Sequence, residues 1–179
     1  GAGGMARTHM EAFTRVRNIE KLQVFSPTRE SRERFGREMA EKYNIEVKIC
    51  SRPEEVYKGA HILAALTDSA VEVTDGALLE KGTHILVVGG SGKPDDESLK
   101  RVDVYLRFGD TPAPTGHPEF ATDAEHIGYE ARPQQIKYGD GRRDRRKHGN
   151  TLPDRRVTLA DLVAGKVKGR SLPDQITYS

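Results

Sequence analysis

Between residues 1 and 109 the chain repeats one pattern: a short apolar run, an amphipathic or turn-rich stretch, then another apolar run. No other feature restricts the fold as much. Strands that are apolar at nearly every position must be covered on both faces, which is the condition of a parallel sheet layered with helices. The spacing predicts a helix from about Met5 to Arg17, with Ala6, Met10, Phe13 and Val16 on one face, and then a strand at Leu22–Ser26. A second helix over Arg29–Tyr43 is expected to bury Phe35, Met39 and Tyr43. A strand at Ile45–Cys50 and a short helix opened by Ser51 and Pro53 follow. Next come a strand at His61–Leu66, a short helix around Asp75–Leu79 and the β-branched strand His84–Val88. A helical turn at Asp95–Arg101 leads to a strand at Val102–Phe108. This order predicts a doubly wound, mostly parallel α/β sheet.

Apolar side chains are unevenly shared. Residues 1–109 hold 27 of the 38 Ile, Leu, Val and Phe residues, residues 110–156 hold 4, and residues 157–179 hold 7. The reading is therefore a core at 1–109, an irregular polar insertion at 110–156, and a return segment of the same domain at 157–179. A formal charge of +2 gives no long-range pull toward nucleic acid or an anionic membrane. No apolar run has the roughly 18 residues of a membrane span. One cysteine, Cys50, excludes an internal disulfide and a cysteine-cage metal site. A soluble, cytoplasmic protein is expected. The chain opens within Gly1-Ala2-Gly3-Gly4-Met5-Ala6 and stops at the β-like run Ile176–Ser179, so it reads as a piece of a longer polypeptide. The strand expected before Gly1 would be the central one of the sheet, flanked by the strands at 22–26 and 61–66.

Gly1-x-Gly3-x-x-Ala6 at a helix start has the form of the phosphate-binding turn of a dinucleotide (Rossmann-type) fold. The first glycine permits the tight turn, and the second lets backbone approach a pyrophosphate. Ala6 allows close helix–strand packing, and the helix N-terminus offers free N–H groups to the anion. Gly1, Gly3, Gly4 and Met5 are the candidate phosphate-site residues. An Asp or Glu at the end of the following strand would bind the adenosine ribose, but Ser26, Pro27, Thr28 and Arg29 stand there. With Ser26, Thr28 and Arg29 able to bind a 2′-phosphate and no carboxylate to repel it, NADP(H) is favoured over NAD(H). Capping of the helix by Ser26 or Thr28 is the alternative use of those hydroxyls. The loops at Leu66–Ser69 and Val88–Ser91 also lie at carboxyl ends of strands. They make Thr67, Ser69, Gly89 and Ser91 candidates for the nicotinamide end.

The segments GAGGMARTHMEAF, VFSPTRESRERF, GAHILAALT, GTHILVVGGSGKPDDESL with the following VDVYL, and LADLVAGKVKGRSLPDQITYS together resemble the ornithine cyclodeaminase/μ-crystallin family. The likeness covers residues 1–109 and about 157–179. Shikimate dehydrogenases share the GAGG turn but not the GTHILVVGG…DDESL or LVAGKVKGR pieces. The resemblance implies binding of NAD(H) or NADP(H) and action on a small amino acid or imino acid. It further implies that the groups gripping the substrate carboxylate belong to a separate N-terminal domain, through which a homodimer forms. In the cyclodeaminases a catalytic Asp follows the two glycines equivalent to Gly89 and Gly90. Ser91 occupies that place here, with Asp95 and Asp96 the nearest acids, so imine reduction or amino-acid oxidation is favoured over conversion of ornithine to proline and ammonia.

The remaining features have blander readings. His9, His61 and His84 fall within predicted elements, and His117, His126 and His148 share no ligand spacing, so no metal is proposed. Cys50 closes a buried strand and reads as a packing residue. The cluster Arg142–Lys147 reads as a solvated loop, too small for a nucleic-acid footprint. A true cyclodeaminase, or a non-catalytic dinucleotide-binding protein, are the alternatives to an oxidoreductase.

Overall fold

The computed structural model describes residues 1–67, 69, 72–88, 94–107 and 156–179. Its first helix, α1 (Gly4–Val16), turns Ala6 and Met10 inward and ends where the Arg17 N–H bonds the Phe13 carbonyl. Strand β1 (Lys21–Val24) leads to α2 (Arg29–Tyr43), which buries Phe35, Gly36 and Met39. That helix stops at Asn44, whose left-handed φ of 51° lets its N–H bond the Ala40 carbonyl. Strand β2 (Glu46–Ile49) then pairs parallel to β1, from Lys21 opposite Glu46 to Val24 opposite Ile49.

A second, five-stranded sheet is built from β3 (Ile62–Leu66), β4 (His84–Val88), β5 (Val104–Arg107), β6 (Arg156–Thr158) and β7 (Thr177–Tyr178). They lie side by side in the order β3-β4-β7-β5-β6, and every pairing is parallel. The last strand thus sits in the middle. Connections include 3₁₀ turns at Pro53–Val56 and Gly76–Leu78, helix α3 (Asp96–Arg101) and the short α4 (Leu159–Val163). The expected helix around Asp75–Leu79 is only the 3₁₀ turn. Gly76 lies so close to α3 that a Cβ on it would stand 2.1 Å from the Ser98 nitrogen, which leaves no room for another turn. The expected insertion at 110–156, with His117, His126, His148 and the Arg142–Lys147 cluster, lies outside the described residues apart from Arg156.

Two apolar cores result. Ala2, Ala6, Met10, Val24, Phe35 and Met39 fill the space among α1, α2 and the β1–β2 pair. Tyr57, Leu63, Leu79, Ile85, Val102 and Ile176 form the second beneath the five-stranded sheet. Strands β1 and β3 belong to different sheets and do not pair. A cavity of about 1130 Å³ lies between them, lined by Lys21–Phe25 on one side and Ile62–Leu66 on the other. Cys50, fully buried at the end of β2, is a packing residue, and burial pushes its thiol pKa up.

Candidate functional site: the carboxyl edge of the sheet

Gly1 stands where the carboxyl ends of β1 and β3 converge. Its amino nitrogen donates to the Phe25 carbonyl at 3.0 Å, and a Cβ on it would lie 2.1 Å from the Leu66 carbonyl oxygen. Only glycine fits there. Gly3 and Gly4 are different. Neither has a positive φ, and nothing lies within 4 Å of a Cβ placed on either. The protein's own packing does not demand glycine at these two positions, yet their bareness keeps the approach to the helix N-terminus open. Gly3 is the N-cap of α1, with no side-chain capping bond and no acidic residue in the first turn. The first N–H groups of α1 therefore have no capping or acidic side chain of the helix's own first turn to meet them, and they carry the positive end of the helix dipole. Exposed Met5 sits in that same turn. Bare glycines before an uncapped helix of 13 residues fit the diphosphate of a dinucleotide.

Ser26, Thr67 and Ser69 are brought to the same end of the sheet as Gly1, and all four line the cavity. Most of that cavity is the gap between β1 and β3, so its volume does not measure a ligand cleft. Ser69 is oriented by its N–H, which bonds the Thr67 hydroxyl at 3.1 Å. Thr28 is the N-cap of α2 but makes no side-chain capping bond. Arg29 points along its own helix: Nε meets Glu33 Oε1 at 2.7 Å, and its side chain is 75% exposed. A pair so open to solvent is weak and is readily exchanged for a stronger anion. Gly89, Gly90 and Ser91 lie outside the described residues.

Two arginines given no role in the reading of the sequence, one on each helix, take part in the site's framework. Arg32 Nη1 bonds the Ser26 carbonyl at 2.8 Å, and its guanidinium lies 5.8 Å from the centre of the Phe25 ring, fixing the loop after β1. Its Nε is buried without a hydrogen-bond partner. Arg7 bonds the carbonyls of Ala2 and Gly3 and pairs with Glu38 on α2. The only signal for either in the sequence is an arginine within one or two turns of a glycine- or proline-bearing loop.

Asp95 is not available as a substitute base. Both its carboxylate oxygens accept from the Gly76 N–H at 3.1 Å, and one also accepts from the Ser98 N–H as the N-cap of α3. Its own N–H donates to the buried Thr74 hydroxyl, and Arg101 reaches the Gly76 carbonyl from the far end of the helix. Asp95 is thereby the latch between α3 and the 3₁₀ turn. Asp96 is exposed in the first turn of α3. His84 lies in β4 with Nδ1 2.8 Å from the Thr177 hydroxyl and Nε2 3.2 Å from that of Ser179. Burial, with Arg170 nearby, lowers its pKa. Among the described residues no three His, Cys, Asp or Glu side chains gather for a metal ion. No helix among them is long and apolar enough to cross a membrane.

The sequence profile of the ornithine cyclodeaminase/mu-crystallin family matches residues 1–178. The chain belongs to that family. Within the ornithine cyclodeaminase/mu-crystallin family, it is 31% identical over 111 residues to the ketimine reductase mu-crystallin of Rattus norvegicus, a match covering 59% of this chain and 34% of the rat protein. It is 30% identical over 99 residues to a Δ1-pyrroline-2-carboxylate reductase of Bacillus cereus, covering 55% of this chain and 30% of that one. The fold is similar to that of the Thermococcus litoralis Δ1-pyrroline-2-carboxylate reductase, solved with NADH and L-proline. The TM-score is 0.70 at 27% identity, over 99% of this chain and 50% of that one. An archaeal alanine dehydrogenase with bound NAD, at 21% identity and a TM-score of 0.67, shares the fold. The chain spans about half the length of the solved relatives and about a third of the curated ones is covered by the match.

Proposed function

We propose that these residues are the nicotinamide-dinucleotide-binding part of an oxidoreductase that reduces a small imino acid or oxidises the corresponding amino acid. The observation that carries this reading is the Gly1–Gly4 turn, where Gly3 and Gly4, bare glycines that the fold itself does not require, open onto an uncapped helix N-terminus. The diphosphate would rest on the N–H groups there, with Met5 alongside. Ser26, Thr28 and Arg29 would hold the adenosine end, and the absence of a carboxylate among residues 26–29 favours NADP(H) over NAD(H). Thr67, Ser69, Gly89 and Ser91 would line the nicotinamide end. The bound group supplies the hydride; the protein's part is to fix its position and exclude water. A carboxylate-gripping domain, a homodimer formed through it and a cytoplasmic location belong to the same proposal.

Imine reduction is favoured over ammonia-releasing cyclisation because Ser91 replaces the acid that would move protons, and a hydroxyl with an unperturbed pKa is a poor base. Asp95 is engaged with Gly76 and Ser98 and cannot stand in for it. The test incubates the full-length protein with Δ1-pyrroline-2-carboxylate and NADPH, and separately with ornithine and catalytic NADP⁺. NADPH oxidation coupled to proline formation is expected in the first mixture. Ammonia and proline from the second, with no NADPH oxidation in the first, would overturn the proposal.

A further inference from the structure

Arg7 is placed as a fork between three parts of the fold. Its Nε donates to both carboxylate oxygens of Glu38 on α2, at 3.0 and 2.8 Å, and Nη2 meets Glu38 Oε2 at 2.6 Å. Its Nη1 donates to the Ala2 carbonyl at 3.1 Å and the Gly3 carbonyl at 3.0 Å. The guanidinium lies 5.4 Å from the centre of the Phe35 ring, and Phe35 is itself only 2% exposed. A trans peptide is planar, with its C=O and N–H pointing in opposite directions. No described peptide is cis. Holding the Ala2 carbonyl therefore fixes the Gly3 N–H on the opposite side, and holding the Gly3 carbonyl does the same for the Gly4 N–H. In a turn with glycine at positions 1, 3 and 4, no Cβ would otherwise restrain those peptide planes.

We propose that Arg7 is a positioning residue for the dinucleotide's diphosphate: a brace that aims the Gly3 and Gly4 N–H groups at the anion, held in register by Glu38. The inference rests on reading the Gly1–Gly4 turn as the phosphate site. Arg7 acts through geometry and not as a cation on the ligand, because its charge is matched by a carboxylate at contact distance and its donors are already committed. The hydrogen bonds from Arg7 hold the Glu38 carboxyl below the usual carboxylate range, so the pair stays ionised around neutral pH. A lysine, with one compact ammonium, cannot serve Glu38 and two backbone carbonyls together.

The test compares wild-type, Arg7→Lys, Arg7→Met and Glu38→Gln in the full-length protein. Calorimetric titrations use ADP-ribose, which carries the diphosphate, and adenosine, which lacks it. Both Arg7 variants are expected to weaken ADP-ribose binding about tenfold or more, by analogy with residues that orient a ligating group, while adenosine binding stays near wild type. Glu38→Gln is expected to shift ADP-ribose in the same direction. In the ligand-free protein, the NMR order parameters of the Gly3 and Gly4 amides should fall in all three variants. Rescue by Arg7→Lys together with tighter ADP-ribose binding by Glu38→Gln would show that Arg7 is a ligand-facing cation and overturn the brace. Wild-type affinity and order parameters in all three variants would overturn it as well. Should Arg7→Met fail to fold, Arg7→Lys and Glu38→Gln decide the question. A wild-type protein that ignores ADP-ribose would refute the phosphate-site reading; the order parameters of Gly3 and Gly4 would then judge the brace alone, unchanged values counting against it.

Discussion

Replacing Gly3 by alanine should separate binding from folding. The backbone there is at φ −87° and ψ −163°, which alanine adopts freely, and a Cβ would meet no atom within 4 Å. Two small terms then oppose each other in the fold. Restricting the unfolded chain contributes about 0.4–1 kcal/mol, and alanine is a poorer N-cap than glycine by a similar amount, about 0.5–1 kcal/mol. The variant should stay within about 1 kcal/mol of wild type. Binding is another matter, because the new methyl occupies the open space through which a diphosphate reaches the helix. Crowding by that methyl costs about 1–3 kcal/mol, or about 5- to 150-fold in affinity. Gly76→Ala is the reverse control. Its Cβ would lie 2.1 Å from the Ser98 nitrogen and 2.4 Å from the Glu97 carbonyl carbon, both backbone atoms that cannot swing aside. It should cost about 3 kcal/mol or more through overpacking and loss of the Asp95 latch. Urea titrations and calorimetric binding of NADPH to the full-length proteins measure both quantities. Unchanged affinity in Gly3→Ala, or a loss of stability there matching that of Gly76→Ala, would refute the reasoning.

Arg29→Glu is expected to weaken NADP(H) far more than NAD(H) in the full-length protein, since a carboxylate would then face the 2′-phosphate in place of a charge-assisted bond worth about 1.5–3 kcal/mol; equal losses by titration would remove Ser26–Arg29 from the adenosine site. His84 should make stability fall on acidification. Its pKa is lower in the folded protein, so stability is level above the ordinary histidine value of about 6.5 and declines below it, where the unfolded chain takes up a proton the folded one resists. Unfolding midpoints at about pH 7.5 and about pH 5.5 should differ less in His84→Gln than in wild type.

The elements that sequence periodicity locates best are those whose apolar face is complete in the chain itself. Helix α1 shows Ala6 and Met10 at helical spacing, α2 shows Phe35 and Met39, and both bury those side chains. Asp75–Leu79 reads as helical because its local composition allows a helix; the obstacle, the Ser98 backbone, lies more than twenty residues away. Only nearness to a loop marks Arg7 and Arg32, because a guanidinium spent on backbone carbonyls has the same one-letter code as one in water. The Gly1-x-Gly3-x-x-Ala6 turn is legible as a spacing at a helix start, but not that Gly1 answers to the Leu66 carbonyl while Gly3 and Gly4 meet nothing of the fold. Asp95 is legible as an acid near a loop but not as a cap whose second oxygen is committed to Gly76.

The placement of β7 constrains how this sheet can be assembled over time. Strands β4 and β5 do not pair with each other; each is bonded to Thr177–Tyr178, so His84 waits for a partner 93 residues further along. Until Thr177–Tyr178 leave the ribosome, β3–β4 and β5–β6 are two separate ribbons with open inner edges. The closure spans a long loop, whose entropy must be met before the pairing offers anything in return, so the final step of sheet formation is slow and non-local. A premature stop just upstream of residue 177 would therefore leave both ribbons exposed to chaperones and proteases.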